Sequence, residues 1–174
     1  MKVKMIAAAV AGFALMSGAA FADDAGHGKV TFEGSIINAP CSVSGKSIDQ
    51  TITLDQISNK VLDNGGKSEP KPFYIELIDC TVETASTVQV TFTGAADTNN
   101  PDMLGITGSA SGAGIVMTDG SGKPITLGTA TDAQVIQDGN NTLAFSAYVQ
   151  ADTVSGPVTP GTFSSVTNFT LAYP

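Results

Sequence analysis

The chain has 174 residues, with eight lysines, no arginine and sixteen carboxylates, giving a formal charge of −8. A surface of that sign repels nucleic acid and anionic lipid, so neither is expected as a partner. With one histidine and two cysteines, the chain has few side chains from which to build a metal centre or a base-assisted nucleophile.

The chain opens on an export leader. Lys2 and Lys4 make a positive start, an apolar run extends from Met5 to Met16, and Ala20-Phe21-Ala22 supplies the small-x-small pattern of a cleavage site. Residues 1–22 are read as a signal peptide and Asp23 as the first mature residue. The remainder carries six lysines against sixteen carboxylates, a formal −10. Its 152 residues suit one domain with a sizeable core. Past residue 22 no segment stays apolar for the roughly 20 residues that a spanning helix needs.

Alternation of period two then dominates, cut by clusters of Gly, Asn, Asp, Ser and Pro, as in an antiparallel sandwich. Residues 29–38 are predicted as a strand, with Gly28, Val30, Phe32, Gly34 and Ile36 on one face and Lys29, Thr31, Glu33 and Ser35 on the other. Further strands are predicted over residues 51–54, 73–78, 87–93, 114–118, 125–127 and 142–150. A short helical turn is expected around residues 56–61. The last strand, residues 162–173, places Phe163, Phe169, Leu171 and Tyr173 on one parity with Ser165 and Thr167. Turns are expected at residues 63–66, 99–102, 119–122, 138–140 and 155–157, and residues 119–123 read as a hairpin between Met117 and Ile125.

Cys41 and Cys80 both lie in the exported part of the chain. Zinc would need two further ligands and the one histidine is His27, so an oxidising compartment makes the pair a disulfide rather than a metal site. No metal and no cofactor is expected. His27 sits in a Gly-flanked tail, the wrong place for a catalytic base, and most carboxylates stand beside turn residues where Asp bonds local backbone. The glycines of residues 105–114 lack a Lys-Ser or Lys-Thr partner for a phosphate cradle. Asn140-Asn141-Thr142 and Asn168-Phe169-Thr170 match the glycosylation sequon as chance matches. No enzyme is predicted.

Four elements occur in order behind the leader: Val30-Thr31-Phe32-x-Gly34, then Ala39-Pro40-Cys41, then Ile75-Glu76-Leu77-x-x-Cys80, then an ending with Gly161 fourteenth from the end and Tyr173 penultimate. Each alone is common among β proteins; together they resemble the chaperone-usher pilins, and most closely the rod subunits of P-type pili. The resemblance covers the mature chain. It implies an all-β, incomplete immunoglobulin-like sandwich lacking its last strand, with a groove between the first and last strands filled by a donor strand from a neighbour or a chaperone. Residues 23–34 would be the donor extension and 35–174 the pilin domain.

The resemblance also implies roles and partners. Gly28, Val30, Phe32, Gly34 and Ile36 would form the inserting face, with Val30 and Phe32 as anchors. Gly161, Phe163, Phe169, Leu171 and Tyr173 would form the edge that a chaperone strand meets. The partners would be neighbouring copies of the same pilin, other pilins of the same pilus, a periplasmic chaperone and an outer-membrane usher, and the destination a surface pilus serving adhesion. Two other readings stand beside the rod subunit: a minor adaptor or tip pilin, and a self-complemented periplasmic immunoglobulin-like binding module.

Overall fold

The computed structural model describes residues 26–83, 86–152 and 157–174. The leader expected over residues 1–22 lies outside them, as does most of the turn expected at residues 155–157. The chain divides into two units, Met1–Ile36 and Ile37–Pro174.

Described residues of the first unit form no strand. The alternation of residues 29–38 therefore yields no ladder here, because a strand exists only by hydrogen bonding to a neighbour, and alternation records which face needs cover without supplying it. Val30, Phe32 and Ile36 are exposed, at 75%, 92% and 103%.

The second unit is an antiparallel sandwich. One sheet runs in the order β1 (Ser42–Val43), β2 (Lys71–Cys80), β7 (Gly139–Ala151), β5 (Ala113–Asp119). The facing sheet runs β6 (Gln134–Val135), β3 (Thr87–Gly94), β9 (Thr167–Ala172). A small ladder joins β4 (Thr107–Gly108) to β8 (Phe163–Ser164). Two single-turn helices, α1 (Gly45–Ile48) and α2 (Asn59–Leu62), lie between β1 and β2.

Between the sheets, Phe73, Ile75, Leu77, Leu143, Phe145, Ile115 and Met117 meet Val88, Val90 and Phe92, all buried. These are the inward positions of alternating strands, and each large side chain removed from water contributes about 1.5–3 kcal/mol. Met103 and Leu104 cover β5, whose inner and outer residues are both buried. Cys41 and Cys80 form a disulfide, Cα atoms 4.1 Å apart, tying the entry of β1 to the end of β2.

Several predicted elements take another form. Residues 51–54 run without a ladder, and Ile125 is buried but joins β5 only through its N–H to the Met117 carbonyl, 2.9 Å. The closing strand breaks at Ser165 and Val166, because its first part pairs with β4 and its second with β3, and one straight strand cannot serve both. The helical turn falls at α2, and the strand β7 begins at Gly139, inside the expected turn. The hairpin at residues 119–123 is present: the Asp119 N–H donates to the Lys123 carbonyl at 3.0 Å and the Gly122 N–H to the Asp119 carbonyl at 3.0 Å. Gly122 takes φ +86° there, the left-handed conformation that glycine adopts without strain.

Candidate strand-accepting cleft

A cleft of about 580 Å³ opens along one side of the second unit. One lip is the segment from Val43 to Leu54, and the other is the start of β9 with the break before it, Ser165 to Phe169. Phe73, Ile75, Phe92, Leu104, Ile115, Met117 and Ala147 form an apolar floor. The rings of Phe73 and Phe145 stack with centroids 5.5 Å apart, and Phe92 meets both edge-on at 6.1 and 5.1 Å. This cluster stiffens the floor.

β9 shapes the second lip. It pairs with β3 along its whole length and ends its sheet, so its other edge carries no ladder among the described residues. From Phe163 to Pro174 burial alternates without a fault, yet the inward side chains are only half-buried. Phe163, Phe169, Leu171 and Tyr173 pack against the core in this partial way, and of these Phe169 lines the cleft. The Tyr173 hydroxyl is buried without a hydrogen-bond partner among the described residues, and desolvation raises its pKa. Gly161 stands outside the cleft, where a Cβ would fall 2.5 Å from the Ala110 nitrogen.

The first lip is fastened to β2. The Ser44 N–H donates to the Glu76 carbonyl at 2.9 Å, the Glu76 N–H donates to Ser47 Oγ at 2.9 Å, and Gln50 Nε2 donates to the Tyr74 carbonyl at 3.1 Å. Asp55 pairs with Lys71 further along. Sequence reasoning assigned only residues 51–54 of this lip, as a strand, and missed its fastening to β2, since side-chain bonds between residues far apart in the chain leave no periodic signal.

At the donor-like positions, a Cβ on Gly28 or Gly34 would meet nothing within 4 Å. Nothing in the chain itself requires glycine there. Among the described residues no group of three or more His, Cys, Asp or Glu side chains could hold a metal, and no helix is long and apolar enough to cross a membrane.

Two facing sheets, one ending at β9 beside a cleft with an apolar floor, define an incomplete immunoglobulin-like sandwich, the pilin fold. Residues 30–174 match the sequence profile of the family described as fimbrial protein. Fimbria A protein of Serratia marcescens is 54% identical over 170 residues, covering 98% of this chain and 97% of the relative. The major MR/P fimbria protein of Proteus mirabilis strain HI4320 is 47% identical, covering 93% of each. Among solved structures, the P pilus rod subunit PapA superposes with a TM-score of 0.71 at 36% identity, over 78% of this chain and all of that one. A chaperone-usher pilus studied for rod uncoiling gives 0.77 at 38%, over 86% and 97%. The chain belongs to the fimbrial protein family, whose members are structural rather than catalytic, and it is a structural subunit of an extracellular surface pilus.

Proposed function

We propose that this subunit polymerises by donor-strand exchange, the N-terminal segment of one copy entering the cleft of the next. The observation that carries the reading is the cleft, about 580 Å³ over an apolar floor, beside the edge of β9 that carries no ladder among the described residues. β-Augmentation needs an unpaired edge for backbone bonds and room for alternate side chains, and the β9 edge, unladdered among the described residues, with the apolar floor beside it supports this reading. In this reading residues 1–22 are the leader, 23–34 the donor extension and 35–174 the pilin domain.

The donor face is Gly28, Val30, Phe32, Gly34 and Ile36. Val30, Phe32 and Ile36 are exposed apolar side chains at strand spacing, and covering each contributes about 1.5–3 kcal/mol. Gly28 and Gly34 suit shallow points of an acceptor channel, since their own chain leaves space for a side chain.

An open cleft is an aggregation hazard before assembly. A periplasmic chaperone would cover it with a strand of its own, meeting the Phe163, Phe169, Leu171 and Tyr173 side of the chain, and an outer-membrane usher would oversee the exchange. Other pilins of the same pilus are partners by the same device, and the subunit is non-enzymatic. Deleting residues 23–33 tests the reading: it should leave a chaperone-bound monomer that does not self-assemble, and ordered fibres from the deleted chain would refute it.

A further inference from the structure

A cleft with two lips offers two possible edges to an incoming strand. One belongs to β9, in the β6-β3-β9 sheet, and the other to β2, whose only ladder partner on that side among the described residues is the two-residue β1. Beyond Val43 the chain leaves the register of β2 and enters α1. The outward backbone groups of β2 would then stand open, as on any edge strand.

Three of them are taken, both groups of Glu76 and the carbonyl of Tyr74. Glu76 has its carbonyl taken by the Ser44 N–H and its N–H by Ser47 Oγ, both at 2.9 Å. Ser47 is 3% exposed, so its hydroxyl is committed to that bond inside the fold. The Tyr74 carbonyl is taken by Gln50 Nε2 at 3.1 Å. The next residue of the same parity is Pro72, which has no N–H to give. Side chains thus stand where a neighbouring strand's backbone would be.

Resting on the donor-strand reading, we propose that Ser47 and Gln50 are positioning residues for assembly. By bonding β2 in place of a strand they close that edge to an incoming segment and hold the first lip in place, so that the donor pairs with β9. Neither residue needs to touch the donor for this. The device directs the polarity and register of insertion, because a segment hydrogen-bonded to β2 instead would have a different register against the floor.

Photo-crosslinking tests this. The mature chain is refolded with a synthetic peptide of residues 26–38 in which benzoylphenylalanine replaces Lys29, irradiated, and the adducts are mapped by mass spectrometry. Wild-type chain should give adducts on β9 and the cleft lips and none on residues 71–76. Ser47→Ala with Gln50→Ala should place adducts on residues 71–76 and release the peptide about tenfold faster, the scale of one or two lost hydrogen bonds. Ser47→Thr, which keeps the hydroxyl, should restore the wild-type pattern. If the double variant does not refold, Gln50→Ala alone, altering an exposed side chain, is read by the same adduct map and release rate. An unchanged map with unchanged release in the variant, or wild-type adducts on residues 71–76, overturns the proposal and leaves donor-strand exchange standing. A wild-type chain that binds no peptide overturns both.

Discussion

Phe92 and Phe169 are directly paired across the β3–β9 ladder, with ring centroids 6.4 Å apart, yet one is fully buried and the other only half. The difference is their place in the sheet: Phe92 sits on the central strand β3, whereas Phe169 sits on β9, whose other side opens on the cleft and carries no ladder among the described residues. Phe169→Ala should therefore cost less in the free subunit than after a donor strand is seated. A fully buried Phe→Ala change costs about 3–5 kcal/mol, and a half-covered ring about half of that. The remainder should appear as weaker donor binding, by about tenfold or more, in titrations of the mature chain with a peptide of residues 26–38. Equal destabilisation with and without peptide would remove Phe169 from the site.

Val30→Asp or Phe32→Asp should abolish fibre growth while leaving the pilin domain folded. Both side chains are exposed in the free chain, so a charge there costs the subunit little. Within an apolar channel an unpaired carboxylate is costly enough to prevent insertion. Electron microscopy for fibres, with circular dichroism on the same preparation, separates loss of assembly from loss of fold. Fibres of normal length from either variant would place the donor face elsewhere.

The strands that were legible in the sequence are those whose partners are in the same chain. Residues 73–78, 87–93, 114–118 and 142–150 each lie inside an observed strand, because alternation there matches a ladder that the chain completes itself. Residues 29–38 alternate as cleanly and form no strand; the pattern reports a face to be buried and is silent on whose backbone will do it. The division of the last strand at Ser165 was hidden because parity continues through the break while the partner changes from β4 to β3. The Ser47 and Gln50 contacts were invisible for another reason, since they join side chain to backbone over 29 and 24 residues of separation.

Replacing Cys41 and Cys80 together by serine should lower stability by about 3–4 kcal/mol on the loop-entropy account, the bridge spanning a separation of 39 residues. The loss should fall first on the cleft, because the bridge anchors the short β1, which carries Val43 of the first lip. Urea denaturation gives the total, and hydrogen exchange should show residues 42–54 opening before β2, β3 and β7. Uniform opening of the whole sandwich would contradict this.

The hairpin at Asp119 gives a pH signature. Ser121 Oγ donates to Asp119 Oδ1 at 2.6 Å, and the Ser121 and Lys123 N–H groups donate to the same oxygen at 2.9 and 3.0 Å. Asp119 accordingly titrates below the ordinary value of 3.8, chiefly through the Ser121 hydroxyl and against a desolvation effect of opposite sign. A folded-state pKa that is depressed means stabilisation present above the unfolded value and lost as pH falls through the folded one. The hairpin should therefore keep its geometry at pH 5 and loosen below 3.8. Carboxyl carbon NMR should show Ser121→Ala moving the Asp119 midpoint upward; an unmoved midpoint would assign the shift to another group.

Gly161 and Gly34 should respond differently to the same change. At Gly161 a Cβ would fall 2.5 Å from both the Ala110 nitrogen and the Ser109 carbonyl carbon, backbone atoms that cannot swing aside. The neighbouring Thr162 carbonyl accepts from the Ser109 and Ala110 N–H groups at 2.9 and 3.1 Å, and the Thr162 N–H donates to Ser109 Oγ at 3.0 Å. Gly161→Ala must lever this junction apart, so a loss of about 1–3 kcal/mol is expected, with faster hydrogen exchange at Ser109 and Ala110. Gly34→Ala meets nothing within 4 Å in its own chain and should leave the melting temperature of the mature subunit unchanged. Its effect should appear only on assembly, as slower fibre growth, because on the donor-strand proposal the added methyl would enter the neighbour's channel. A Gly34→Ala subunit that melts earlier yet polymerises at the normal rate would reverse the assignment of that glycine.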